Sequence, residues 1–169
     1  ELYDAWIEMG LLRMCFPEEY GGLGGSVMDM VVIAEELSRK SFDFFTAFGG
    51  SVFNGLNLVN KGTEEQKRHW IPKLLAGEIK LSISMSEPDA GSDIGAMRTT
   101  AKRDGDHWVI NGQKLWATGA GAKNNVINLY VKTDTAAHYR KGMSLLLVDN
   151  DTPGIKMRKL ELLGRRCVG

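Results

Sequence analysis

Residues 81–86 read Leu81-Ser82-Ile83-Ser84-Met85-Ser86, so apolar side chains alternate with serines. This period of two is typical of a β-strand, in which successive side chains point to opposite faces. Before Lys80 the apolar residues instead recur at steps of three and four, the spacing of one face of a helix. The change of period predicts a helical domain over residues 1–79 and a β-domain over residues 80–169.

The first part divides into four predicted helices, which cover residues 1–9, 26–39, 43–60 and 63–77. The last one begins at a capping box, because the Thr63 hydroxyl can accept the Gln66 amide while the Gln66 side chain reaches back. The third contains Gly49, Gly50 and Gly55, each of which weakens a helix by about 1 kcal/mol relative to alanine. These glycines indicate close helix contacts or a nearby ligand.

The second part shows short strands separated by tight turns. Strands are predicted at residues 81–85, 99–103, 107–110, 113–118, 126–132, 143–148 and 155–158. Asp104-Gly105-Asp106 and Asn111-Gly112 supply turn signals between them. Short strands without intervening helices favour an antiparallel sandwich or barrel over a parallel sheet. The expected fold class is therefore α+β, with an N-terminal all-helical domain followed by an antiparallel β-sandwich or barrel domain.

Composition narrows the classes of function. The 169 residues carry a formal net charge of zero, which disfavours nucleic acid or an anionic membrane as the main partner. Apolar runs such as residues 145–148 have the length of a strand, so no membrane span is expected. The two cysteines, Cys15 and Cys167, form no CxxC pair, and the three histidines are scattered. We therefore expect neither a disulfide framework nor a metal site.

The loop after the first predicted strand is a candidate for chemistry. Ser86-Glu87-Pro88 ends the strand, because proline has no amide donor and restricts the residue before it. Asp89-Ala90-Gly91-Ser92-Asp93 then forms a tight loop, whose backbone N–H groups and small hydroxyls can bind carbonyl or phosphate oxygens. Read alone, the loop is also compatible with an ordinary strand exit that ends in a capping serine or aspartate.

A second candidate segment reads Asn111-Gly112-Gln113-Lys114-Leu115-Trp116-Ala117-Thr118-Gly119. If it is a strand, Trp116 and Thr118 project from the same side, because they are two residues apart. An aromatic plane beside a hydroxyl would suit a flat heteroaromatic cofactor, although Trp116 alone could also belong to the core. The sequence contains no P-loop, and its Gly-x-Gly pairs lack the context of a Rossmann turn.

Together and in this order, the two segments resemble the acyl-CoA dehydrogenase family, which reads Ser/Thr-Glu-Pro-x-Ala-Gly-Ser-Asp and then Asn-Gly-x-Lys-x-Trp-Ile-Thr. Other family-like motifs stand at residues 9–12, 17–24, 62–67, 153–155 and 163–166. The resemblance implies an N-terminal helical domain, a middle β-domain and a C-terminal helical bundle, in a homo-oligomer (a dimer or tetramer). We expect the opening helices, the end of the β-domain and the bundle to lie outside this chain.

The resemblance also implies FAD as the cofactor and assigns roles by the match to the family's motifs. Residues 83–92 would line the flavin ring, with the Met85 backbone and the Ser86 hydroxyl at its pyrimidine edge. Trp116 would pack against the ring system, and Thr118 would lie near N5. The implied cofactor-binding set is Ile83, Met85, Ser86, Gly91, Ser92, Trp116, Ala117 and Thr118.

The implied reaction is the α,β-dehydrogenation of an acyl-CoA thioester to the 2-enoyl-CoA, with Ser92 also contacting the substrate. A carboxylate takes the α-proton, and electrons pass through the flavin to an electron-transferring flavoprotein. The family's catalytic Glu lies in the C-terminal bundle, so no catalytic residue is assigned here, and Glu87 belongs to the loop motif. This chain alone is expected to be inactive. The compartment stays open between a bacterial cytoplasm and the mitochondrial matrix.

Two alternatives to this function stay open. An acyl-CoA oxidase, or a related flavin monooxygenase on the same scaffold, would carry the same flavin motifs and use oxygen as the electron acceptor. A non-catalytic CoA-binding subunit would keep the scaffold without the flavin. The motifs separate these alternatives poorly, because flavin binding is common to the dehydrogenase and the oxidase.

Overall fold

The computed structural model describes residues 2–162, so the motif at 163–166 and Cys167 lie outside the described residues. Its helices are α1 (Leu2–Glu8), α2 (Val27–Lys40), α3 (Phe42–Lys61) and α4 (Glu64–Leu75), with 3-10 turns at Leu11–Arg13 and Glu18–Tyr20. Its strands are β1 (Lys80–Ser84), β2 (Thr100–Asp104), β3 (His107–Asn111), β4 (Asn125–Lys132) and β5 (Met143–Asp149). A 3-10 turn at Ile94–Ala96 follows β1, and the one-turn helix α5 (Tyr139–Gly142) precedes β5. Helices followed by strands confirm the predicted α+β class.

Local sequence signals set the ends of the helices. Gly10 stops α1 with a left-handed backbone, φ 75°. Ser26 caps α2, since its hydroxyl accepts the Asp29 amide at 3.3 Å. The capping box of α4 is confirmed, because Thr63 Oγ1 accepts the Gln66 amide at 3.3 Å and Gln66 Oε1 accepts the Thr63 amide at 2.9 Å.

Large apolar side chains fill the core of the helical part. Those at most 1% exposed include Leu12, Phe16, Phe48, Ile71 and Leu74. Gly55 of α3 lies against this cluster, and a Cβ atom there would stand 2.5 Å from Leu74 Cδ2 and 2.6 Å from Phe16 Cζ. Gly55 therefore marks a close contact between α3 and its neighbours. A close helix contact was one of the two explanations that the sequence left open for the glycines of this helix.

The sheet is mixed rather than wholly antiparallel, which corrects the predicted pairing. Strand β4 pairs in parallel with β1 and, at one position, with β2, while β5 runs antiparallel to β4. The hairpin of β2 and β3 is confirmed, with Asp104 opposite His107 across the predicted turn. Parallel neighbours need a long crossover connection. Residues 85–124 supply one from loops and the β2–β3 hairpin, without a long helix.

Two predicted strands are absent from the described chain. Residues 113–118 form a loop, because the Leu115 amide donates to the Ser86 carbonyl at 2.9 Å instead of joining a strand ladder. Residues 155–158 have no regular secondary structure and are exposed, and among the described residues they pair with no strand. The strand prediction was therefore wrong at both places, although the alternating pattern around residues 113–118 resembles that of a strand.

Buried polar side chains join the helical part to the sheet. Asn128 Nδ2 of β4 donates to Asn54 Oδ1 of α3 at 3.1 Å, and Asn54 Nδ2 donates to the Gly50 carbonyl at 2.7 Å. Asn125 Nδ2 donates to Ser82 Oγ of β1 at 2.8 Å. These directional bonds fix β4 against both α3 and β1. Strand β1 also contacts α3 and leads directly into the first candidate loop.

Candidate functional site

The two candidate segments lie side by side at the end of β1. We call residues 85–93 the first loop and residues 112–119 the second loop. The Leu115 amide donates to the Ser86 carbonyl at 2.9 Å, and Lys114 Nζ donates to the Met85 carbonyl at 3.1 Å. The structure thus brings Met85 and Ser86 next to the residues that precede Trp116, although the two loops are separated by a hairpin in sequence.

Glu87 is the centre of the hydrogen bonds that hold this junction. Its side chain is 6% exposed, and its carboxylate accepts Lys114 Nζ at 2.9 Å. The carboxylate also accepts the main-chain amides of Arg98 at 2.6 Å and Thr99 at 3.0 Å. Glu87 and Ala90 exchange main-chain hydrogen bonds of 2.8 and 3.2 Å, which close the turn between them. One side chain therefore fixes three segments of the chain.

These contacts also decide the charge of Glu87. Burial raises the pKa of the carboxyl, but hydrogen bonds from Thr99, the Arg98 amide and Lys114 outweigh it and lower the pKa to about 2. Burial lowers the pKa of Lys114, and its bond to Glu87 opposes that shift. A carboxylate with so low a pKa is a weak base. Glu87 is thus suited to holding the loops in place and unsuited to taking a proton from a substrate.

Trp116 adopts a backbone conformation that a bulky residue rarely takes. Its φ is 62°, in the left-handed region, and the Thr118 amide donates to the Trp116 carbonyl at 2.9 Å. The indole is 59% exposed. The predicted placement of Trp116 and Thr118 on one side of a strand is wrong, because the segment turns at this point. The turn instead presents the indole at the surface, directly after the two residues that bond to the first loop.

The structure places other predicted site residues on β1 and in the first loop. Ile83 lies on β1 with its side chain partly exposed, and Met85 and Ser86 are half-buried. Gly91 and Ser92 are exposed in the first loop, and a Cβ atom at Gly91 would meet nothing within 4 Å. The hydrogen bond from the Leu115 amide to the Ser86 carbonyl places the start of the first loop beside the second loop.

The groups around the junction fit an isoalloxazine ring in their chemistry. Met85, Ser86, Trp116 and Thr118 are uncharged and offer main-chain groups, two hydroxyls and an exposed aromatic face. The buried charges, Glu87 and Lys114, are paired with each other. The isoalloxazine ring is flat and uncharged and has a polar edge. An apolar surface with a few precisely placed polar groups suits such a ring.

The sequence did not identify three members of this junction: Lys114, Arg98 and Thr99. Arg98 and Thr99 act through main-chain amides, so their side-chain types carry no signal for the role. Lys114 had a signal, since it is the only positive charge in its segment and Glu87 is a negative charge in the other segment. Within residues 2–162, no cluster of His, Cys, Asp or Glu could hold a metal ion, and no helix could cross a membrane.

Comparison with known proteins agrees with this architecture. The glutaryl-coenzyme A dehydrogenase solved in complex with glutaryl-CoA has a TM-score of 0.90 and 34% identity to this chain, over 98% of this chain and 42% of that one. Residues 1–78 match the N-terminal domain of acyl-CoA dehydrogenases, and residues 82–169 match their middle domain. The chain belongs to the acyl-CoA dehydrogenase family.

Two curated relatives show how much of the length of a family member this chain covers. The (2S)-methylsuccinyl-CoA dehydrogenase of Cereibacter sphaeroides is 38% identical, over 98% of this chain and 32% of its own length. The mitochondrial isovaleryl-CoA dehydrogenase of Pongo abelii is 37% identical, over 94% of this chain and 38% of its own length. This chain therefore spans about a third of the length of the curated relatives it matches.

Proposed function

We propose that this chain forms the helical and middle parts of an FAD-dependent acyl-CoA dehydrogenase. The whole enzyme would convert an acyl-CoA thioester to the 2-enoyl-CoA and pass the electrons to an electron-transferring flavoprotein. The observation that carries the proposal is the junction of the two loops, in which Lys114 and Leu115, directly before the exposed Trp116, bond to Met85 and Ser86. Family membership supports acyl-CoA dehydrogenation as the general chemistry. We retain the division into domains 1–79 and 80–169 as part of the proposal.

The proposed roles follow the two loops. Ile83, Met85, Ser86 and Gly91 would line the flavin from the first loop and the strand before it, and Trp116, Ala117 and Thr118 would line it from the second. Ser92, which is exposed at the tip of the first loop, would contact both the cofactor and the acyl-CoA. Bound FAD would supply the hydride acceptor. The residues of this chain would hold the ring in place and shield one side of it from water.

The group that removes the α-proton is expected outside this chain. Glu87 is excluded as that base by its pKa of about 2 and by its three hydrogen-bond donors. We therefore assign no catalytic residue to residues 1–169, and turnover by these residues alone would contradict the assignment. We also propose a homo-oligomer, a dimer or tetramer, because this is the usual assembly of the family that the sequence resembles.

Flavin content of the full-length protein tests the cofactor. We expect the visible absorption band of oxidised flavin in the purified protein, and about tenfold weaker FAD binding in Trp116→Ala, because a stacked aromatic contact contributes about 1–3 kcal/mol. Trp108→Ala is the matched control, since Trp108 is 42% exposed on β3, outside both loops. A full-length protein without flavin would contradict the proposal and favour a non-catalytic CoA-binding subunit.

Reduction and reoxidation of the flavin test the reaction. Anaerobic addition of acyl-CoA thioesters of different chain lengths should bleach the flavin band and so reveal the preferred acyl group. Reoxidation should then be fast with an electron-transferring flavoprotein and slow with oxygen. The opposite order would identify an acyl-CoA oxidase or a related monooxygenase.

A further inference from the structure

Building on the proposed function, we propose that Glu87 and Lys114 are positioning residues for the cofactor. Their buried ion pair holds the first and second loops in the relative placement that FAD requires, without either side chain contacting the reacting atoms. The residues assigned above would contact the flavin itself, whereas Glu87 and Lys114 would set the placement of the two loops that carry those residues.

Burial separates this pair from the other ion pairs of the described chain. The side chains of Lys114 and Glu87 are 10% and 6% exposed, with Nζ and Oε1 2.9 Å apart. In contrast, the pair of Arg98 and Asp89, at the edge of the same loop, is 80% and 69% exposed. Removing two charges from water is costly, so a buried pair adds little net stability compared with apolar residues of the same size. Its benefit lies in fixing one arrangement of the segments that it joins.

The pair acts on three segments at once. Lys114 Nζ donates to the Met85 carbonyl as well as to the Glu87 carboxylate, so one ammonium group holds both the main chain and the side chain of the first loop. The same carboxylate accepts the amides of Arg98 and Thr99. Charge-assisted bonds are short and directional, so together they define the distance between the loops and their orientation.

The strained backbone of Trp116 depends on these anchors. A bulky residue with positive φ persists only where its neighbours hold it. Lys114 and Leu115 fix the chain before Trp116 through Met85 and Ser86, and the Thr118 amide fixes the chain after it. Without Lys114 the backbone would relax toward an ordinary conformation, and the direction of the indole relative to the first loop would change.

The test compares full-length variants prepared as apoprotein and titrated with FAD. Lys114→Met removes the ammonium group but keeps a long side chain. Glu87→Gln keeps the shape and one of the two acceptor oxygens but removes the charge. We expect both to weaken FAD binding about tenfold or more, because each variant loses a charge-assisted hydrogen bond between the two loops. Arg39→Gln on α2 is the control, because it removes the charge of an exposed ion pair with Glu36 outside both loops, and it should change FAD affinity less than about twofold.

A second measurement separates positioning from stability. The visible circular dichroism of bound flavin reports the asymmetry around the ring, and thermal unfolding of each apoprotein reports its stability. We expect Lys114→Met and Glu87→Gln to alter the flavin signal at saturating FAD, whereas Arg39→Gln should keep the wild-type signal. If Lys114→Met folds poorly, Glu87→Gln decides, because it keeps the size of the side chain and its carboxamide oxygen can still accept one of the Arg98 and Thr99 amides.

The outcomes separate the inference from the proposed function. If wild-type protein binds FAD and both variants bind it with the same affinity and the same flavin signal, the positioning role is wrong and the proposed function stands. Variants that only unfold at lower temperature, with unchanged FAD affinity and signal, would also overturn the role. If the wild-type protein itself binds no FAD, the proposed function fails and the positioning role fails with it.

Discussion

In the helical core, Phe16 and Leu74 close on Gly55 through apolar contacts alone, whereas at the loop junction hydrogen bonds join Glu87 and Lys114 to main-chain groups. Apolar contact depends on the area removed from water and has little preference for direction. Hydrogen bonds to charged groups depend on distance and angle. The core therefore stabilises the fold, while the junction fixes how two loops stand relative to each other.

The largest expected effect lies in the core. Phe16→Ala should lower the free energy of unfolding by about 3–5 kcal/mol, because it removes a buried ring and leaves a cavity. Phe42→Ala is the control, since Phe42 is 50% exposed and its ring lies tilted at 44° to that of Phe45, and it should cost about 1 kcal/mol or less. Urea unfolding measures both. Similar losses in the two variants would show that the cluster around Gly55 is not the stabilising core.

The next effect concerns the junction and depends on pH. Glu87 has a pKa of about 2 in the folded protein, against an ordinary value of 4.5. The unfolded chain therefore binds the proton more tightly, so the ionised Glu87 contributes stability above about pH 4.5 and loses it as the pH falls toward 2. This shift corresponds to about 3 kcal/mol.

Glu87→Gln tests this contribution because it cannot ionise. Its free energy of unfolding should be about 3 kcal/mol below that of the wild type at neutral pH, and the gap should narrow as the pH falls from about 4.5 to 2. Urea unfolding across this range measures the gap. A gap that stays constant with pH would mean that the charge of Glu87 is unimportant and that only its shape holds the junction.

Local features of the fold were predictable from the sequence, because the residues that make them are neighbours. The capping box joins Thr63 to Gln66, and the turn after Asp104 joins two adjacent strands, so each can be identified from a few letters. The parallel pairing of β1 with β4 could not be identified in this way, since it depends on how residues 85–124 cross between the strands. The alternating pattern that predicts a strand does not specify its partner.

The candidate site was predictable only through its motifs. The pattern around Trp116 favoured a strand, because nothing in the local sequence indicates a left-handed backbone at an aromatic residue. Two residues before Trp116, Lys114 reaches across to Met85 and Glu87, which are distant in sequence, and we infer that these bonds hold that conformation. The resemblance to a family selected the two segments, while the bonds that join them became visible only in three dimensions.

Glycines on α3 test how closely the core is packed. Gly55→Ala should destabilise the protein by about 1–3 kcal/mol, because its new methyl group would stand about 2.5 Å from Leu74 and Phe16. Gly50→Ala is the matched control on the same helix, where a Cβ atom meets nothing within 4 Å. It should stabilise the protein by about 0.5–1 kcal/mol through helix propensity. Thermal unfolding should therefore shift in opposite directions, and a shared sign would contradict the packing at Gly55.

The smallest effect compares one kind of hydrogen bond in the two regions. Thr63 Oγ1 accepts a main-chain amide at the exposed start of α4, as the Glu87 carboxylate accepts amides at the buried junction. Thr63→Ala should cost about 1 kcal/mol, because water can replace the lost acceptor for the Gln66 amide. Thr63→Ser keeps the hydroxyl and should cost almost nothing. Urea unfolding at neutral pH compares Thr63→Ala with Glu87→Gln. If both lowered the free energy of unfolding equally, burial and charge would not explain the strength of the hydrogen bonds at the junction.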